Sequence, residues 1–226
     1  MLIPATLIPL MLAAQIGLGA WVVWLETPAL PVMIHLTFAM IILGMLNWIT
    51  VLAGPDLTGT ESGARSIARP SGFCALVYGT TAAVFLLVLV GAYVRASGAG
   101  WACVGFPGCN GLALPFGSSP AVDLHLAHRL LAYVVAGLVF ATAWQARRAY
   151  PAVVRLANVL VVLVLVQIGI GVTAVLGGPG WVVQSAHVAG AAAVWSMAVA
   201  LAGRTWRAGR TDERQSMPDG RPTGDE

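Results

Sequence analysis

The sequence predicts an all-α integral membrane protein with about six transmembrane helices, one complete four-helix bundle plus a half bundle related to it by an internal repeat. Three observations carry that expectation. Hydrophobic residues make up 58% of the 226 and charged residues only 9%, too few to clothe an ordinary water-soluble surface. Six apolar stretches are each long enough to cross a hydrocarbon core of ~30 Å as a helix. A motif in the first stretch returns in the fifth.

In order, the stretches cover residues 2–25, 30–53, 73–94, 124–144, 152–176 and 180–203. The first has no basic residue before it and no small-residue cleavage pattern after it, so it reads as a retained helix and not as a signal peptide. All twelve basic residues are arginine, and ten of them fall in three places: Arg65 and Arg69; Arg147, Arg148 and Arg155; and the segment from Arg204 to Arg221. The positive-inside rule makes those regions cytoplasmic. Six helices then put both termini in the cytoplasm, with the connections at 26–29, 95–123 and 177–180 on the other side of a cell inner (plasma) membrane. The net charge of +3 is thereby accounted for as orientation, and the chain has no basic and aromatic cluster of the kind that binds nucleic acid.

Gln15-Ile-Gly-Leu-Gly19 matches Gln167-Ile-Gly-Ile-Gly171, and the interval from Gln15 to His35 equals that from Gln167 to His187. Helices 1 and 2 therefore repeat as helices 5 and 6. The implied organisation is a partial N-terminal bundle over 1–53, a cytoplasmic linker over 54–72, a complete four-helix bundle over 73–203 and a disordered cytoplasmic tail over 204–226.

All four histidines lie within or at the edge of apolar helices, where an ionisable side chain is costly without a partner. A single membrane histidine commonly makes an interhelical hydrogen bond. His128 and His187 differ in being a pair: each sits a short way into a helix that begins on the outer side, at depths matched to about one helical turn. Two imidazoles on facing helices suit the two axial positions of a haem iron, whereas zinc wants three or four ligands. Arg95 and Arg129 are the two arginines that oppose the topology signal, and an anion at the site, such as a pair of haem propionates, would explain them. Snorkelling to lipid phosphate is the alternative. His125, one turn before His128, is placed to bond a propionate or substrate, and Asp123 reads as the N-cap of helix 4; for both, capping or packing competes with a site role. Cys103 and Cys109, six apart on the oxidising side, favour a structural or redox-active disulfide over a metal site. Cys74 reads as a packing residue.

The segments Gly91-Ala-Tyr-Val-Arg95-Ala-Ser-Gly98, Cys103-Val-Gly-Phe-Pro-Gly-Cys109-Asn-Gly111, His128-Arg129 and Gln167-Ile-Gly-Ile-Gly171 together resemble the haem A synthase family. That family is built from two duplicated four-helix bundles and oxidises the C8 methyl group of haem O to the formyl group of haem A, serving cytochrome oxidase assembly. The resemblance implies that His128 and His187 ligate haem b, that Gln167 belongs to the same site, that Cys103 and Cys109 are disulfide-bonded, and that His35 ligates or neighbours the substrate haem O. It also implies as partners a haem O synthase, cytochrome oxidase assembly factors and membrane lipid, with a homo-oligomer as one way to assemble the substrate site. The match covers the last two helices of the family's first bundle and all of its second. The family's earlier His, with a Glu one turn before it, has no counterpart in these 226 residues, where Glu26 and Asp123 are the carboxylates in reach. A non-catalytic, haem b-binding membrane protein or a degenerate or truncated homologue is therefore the competing expectation, and a small transporter a more distant one.

Overall fold

The computed structural model describes residues 2–26, 28–54, 71–178 and 180–216. Six α-helices follow one another: α1 (Leu2–Trp24), α2 (Ala29–Ala53), α3 (Ser71–Ala96), α4 (Pro120–Ala149), α5 (Pro151–Leu176) and α6 (Trp181–Ser216). All six are long and apolar enough to span a membrane, and no strand occurs among the described residues. This is a multi-pass membrane protein. Its outward faces are apolar, with Leu86, Val134, Phe140, Val162 and Leu165 exposed, as lipid contact requires.

Helix ends follow local chemistry. Helix α4 begins four residues earlier than expected, because Ser119 is its N-cap, accepting from the Val122 amide, and Pro120 occupies the first turn where a missing N–H costs nothing. Asp123 is thus not the cap: its Oδ1 accepts from the Gly117 amide at 2.8 Å, so it restrains the preceding loop instead. The turn from α4 to α5 is a single residue, Tyr150, because Pro151 cannot continue a helix, and Tyr150 is fixed by stacking on Phe73 at 3.9 Å. Helix α6 runs through Ser216, so part of the segment expected as a disordered tail is helical. Two contacts hold that extension: Arg207 donates to the carbonyls of Val51 and Gly54 at the end of α2, and Trp206 packs on Trp48. Residues 217–226, and the linker apart from its ends, lie outside the described residues.

Helices α3, α4, α5 and α6 close a ring, each packed on its two neighbours. Lipid tails are as apolar as the core, so close packing and polar cross-links hold such a ring together. Ala143, Ala146, Ala157 and Ala198 let the backbones approach, and Thr80 and Thr142 share a buried hydrogen bond of 3.0 Å between α3 and α4. The half bundle attaches through α2, which packs on α6 and α3, while α1 packs on α2. Trp195 of α6 is the joint: its Nε1 donates to the Met40 carbonyl at 2.8 Å, its ring occupies the space left by Gly44, and Phe85 of α3 packs on it at 5.0 Å. Replacing Trp195 by Ala should therefore destabilise the detergent-solubilised protein by about 3 kcal/mol or more, read as a lowered thermal unfolding midpoint. A loss under about 1 kcal/mol would show that the two bundles are joined elsewhere.

Candidate functional site

Three histidine rings are seated in one way. The position where a Cβ would stand on Gly91 of α3 is 2.9 Å from His128 Cε1, that on Gly171 of α5 is 3.2 Å from His187 Cε1, and that on Gly19 of α1 is 3.2 Å from His35 Cε1. Each imidazole thus lies on a bare stretch of the neighbouring helix, and a side chain there would displace it. The three glycines each stand five residues before the end of their helix, at Ala96, Leu176 and Trp24. His128 is eight residues into α4 and His187 six into α6. The two differ in depth by roughly 3 Å along the helix axis.

The repeat seen in the sequence is also a repeat in space. Gln167 Nε2 donates to the His187 carbonyl at 2.8 Å, and Gln15 Nε2 donates to the His35 carbonyl at 3.1 Å. Gly190 leaves the room that the Gln167 amide fills. The two copies differ at the ring. Gln15 Nε2 also lies 3.3 Å from His35 Nε2, whereas Gln167 makes no bond to the His187 ring. In all three histidines Nδ1 is buried without a hydrogen-bond partner, as is Oε1 of both glutamines. Unsatisfied groups of this kind are costly in an apolar interior, and five of them gather at the His35, His128 and His187 seats.

Above the four-helix ring lies the loop between α3 and α4. Cys103 and Cys109 are placed at disulfide distance, with Cα atoms 4.9 Å apart, and both are buried with Val122 and Leu126 of α4. Asn110 stitches the loop internally, accepting from the Val104 amide and donating to the Ala102 carbonyl. His125 is buried and its Nδ1 donates to the Ala99 carbonyl at 3.0 Å. Arg129 is buried too, and its terminal nitrogens donate to the carbonyls of Gly108 and Cys103 at 2.7 and 3.0 Å. Arg95 is exposed one turn beyond Gly91 on the same face of α3, and its side chain makes no hydrogen bond among the described residues. Cys74 is a free, half-buried cysteine in the first turn of α3, at the other end of the ring.

The structure thus brings His128, His187 and Arg95 to one end of the four-helix ring, places His35 in the half bundle, and turns His125 and Arg129 toward the loop. Of the seat glycines, Gly19 and Gly171 were visible in the sequence only as part of the repeat, and Gly91 only within a segment of the family resemblance. What signals their role is the constant interval from glycine to helix end, together with a histidine early in the next helix.

Fold and site define a multi-pass helical membrane protein with glycine-seated histidines in three successive helix pairs. Residues 2–199 match the COX15-CtaA family, described as cytochrome oxidase assembly protein, and the chain belongs to that family, in agreement with the haem A synthase resemblance. Relatives named Heme A synthase include one from Symbiobacterium thermophilum, 35% identical over 136 residues, covering 59% of this chain and 44% of the relative. Another, from Maricaulis maris, is 30% identical over 217 residues, covering 87% of this chain and 60% of the relative. A protein named Protoheme IX farnesyltransferase 1 from Natronomonas pharaonis is 32% identical over 165 residues, covering 70% of this chain and 34% of that protein. The chain spans about half the length of the curated relatives it matches.

The cysteine chemistry is directly countable. Of three cysteines, one should react with a maleimide in denaturant without reductant, and three after reduction, read by intact mass. Three reactive thiols before reduction would contradict the loop structure.

Proposed function

We propose that this protein acts in haem A biosynthesis, with haem b held between His128 and His187 and haem O presented at His35 for oxidation of its C8 methyl group to formyl. The observation that carries the proposal is the trio of glycine-seated imidazoles with unmet ring nitrogens. Two neutral imidazoles from facing helices fit an iron whose other four ligands come from a porphyrin, and either ring nitrogen can serve as a ligand. Among the described residues no group of three or more His, Cys, Asp or Glu side chains is placed to hold a bare metal ion.

When bound, haem b would supply one-electron transfer, carrying electrons away from the substrate methyl group while water supplies the oxygen. The chain's own residues do the rest. Gly91 and Gly171 set how closely His128 and His187 approach α3 and α5, and so fix the planes of both rings. Gln167 holds the α6 backbone at His187 through its carbonyl. Arg95 offers an unpaired guanidinium at the loop end, where propionates would need a cation and access to water. Gln15 contacts the His35 ring as well as its carbonyl, a difference from Gln167 that supports reading His35 as the substrate position. Asp123 is engaged by Gly117, which leaves Glu26, exposed in the α1–α2 turn, as the candidate to accept protons released at that end. The protein would sit in the cell inner membrane with both termini cytoplasmic, receiving haem O from a haem O synthase.

The test is haem extraction and reversed-phase chromatography of membranes in which this chain is co-expressed with a haem O synthase. Haem A or its alcohol precursor should appear only with the chain. His35→Ala should abolish that product while leaving the haem b spectrum, and His128→Ala or His187→Ala should remove the haem b spectrum. Undiminished haem A with His35→Ala would overturn the substrate assignment. Haem b co-purifying with no new haem would replace it by the haem-binding reading without oxidation.

A further inference from the structure

Helix α4 carries His128 between two buried polar side chains, His125 three residues before it and Arg129 directly after it. A position beside a haem ligand invites the reading that both face the haem. Their hydrogen bonds point the other way.

We propose that Arg129 and His125 are positioning residues that clamp the disulfide loop onto α4, so that the loop and the His128 end of the helix behave as one rigid body. Three fixed points support this. His125 Nδ1 meets the Ala99 carbonyl at the start of the loop. The Arg129 guanidinium bridges the carbonyls of Cys103 and Gly108, and so grips the loop at one cysteine and at the residue preceding the other. Asp123 takes the Gly117 amide at the loop's end. The first ten residues of α4 thus hold the loop at its beginning, middle and end.

The middle point is the decisive one. One planar guanidinium can satisfy two carbonyls only while the chain segment between them stays folded, and the Cys103–Cys109 bond closes that segment. If the bridge opened and the carbonyls parted, Arg129 would be left as a buried cation without its acceptors, a strongly unfavourable state. By linkage, the bonds that lose their geometry when the disulfide opens must equally favour the closed disulfide. Arg129 therefore guards the bridge, and the bridge keeps Arg129 away from the site, leaving Arg95 as the cation that faces an anion there. The clamp stands whatever the bundle binds. Its consequence for His128 rests on the haem reading above.

The experiment follows reduction of the bridge in the purified full chain, in both haem-depleted and haem-loaded forms, by timed dithiothreitol exposure and a polyethylene glycol maleimide gel shift. Arg129→Gln should speed reduction about tenfold or more in both forms, the loss expected for charged hydrogen bonds. Arg129→Lys should fall between, since an ammonium is a point donor and not a fork. His125→Ala should speed reduction several-fold, which keeps the test alive if Arg129→Gln fails to fold. Labelling of Cys74 at an unchanged rate shows that the variant remains folded. Reduction rates within twofold of the parent for both Arg129→Gln and His125→Ala would overturn the clamp. In the loaded form, reducing the bridge of the parent should also shift the haem absorption spectrum. Faster reduction in the variants with no such shift would keep the clamp and overturn its coupling to His128.

Discussion

An imidazole in a helix bundle needs both room for its ring and a partner for its nitrogens, and the site depends on how this chain provides the first and, at Nδ1, withholds the second. A glycine opposite each ring removes the Cβ that would otherwise hold the neighbouring helix away. The ring then lies against backbone, whose own polar groups are consumed within the helix and offer it nothing. Burial without a bond at Nδ1 is a standing cost, tolerated where a ligand repays it. The same solution appears in α1–α2, α3–α4 and α5–α6, and the glutamine-to-carbonyl bond appears in the first and last of these pairs.

Around these seats the two ends of the bundle are tied differently. At the loop end the ties are polar and local to α4, with His125, Arg129 and Asp123 anchoring one disulfide-closed loop. At the far end they link elements distant in sequence: Phe73 stacks on Tyr150, and Arg207 reaches the carbonyls that end α2. Trp195 joins the half bundle to the ring at a middle level. Fastened at both ends, the bundle carries these unsatisfied Nδ1 groups in its interior.

Much of this was legible in the sequence, for physical reasons that can be named. Spans were readable because the bilayer sets a minimum apolar length, and the repeat because its glutamine, glycines and histidine keep their spacing in both copies. The placement of His128 and His187 early in α4 and α6 was readable from their depth in the apolar stretches. The start of α4 lies before Asp123, because the Ser119-Pro120 pair is the stronger helix-start pattern. The end of α6 was missed because a polar, charged composition fits both disorder and a helix leaving the membrane, and only the Arg207 contacts with α2 decide between them. Arg129 was the hardest. Its position argued for an anion, and nothing in the sequence shows that two loop carbonyls would converge on its guanidinium.

In the proposed site, glycine seats hold His128 and His187 as a haem-ligating pair. Low-temperature electron paramagnetic resonance of the oxidised, haem-replete protein tests it most directly. The account predicts a low-spin ferric signal of bis-imidazole type, altered by Gly91→Ala, where a Cβ would meet the His128 ring, and unchanged by Gly79→Ala, where it would meet nothing within 4 Å. A high-spin signal in the parent, or a low-spin signal indifferent to Gly91→Ala, would contradict it.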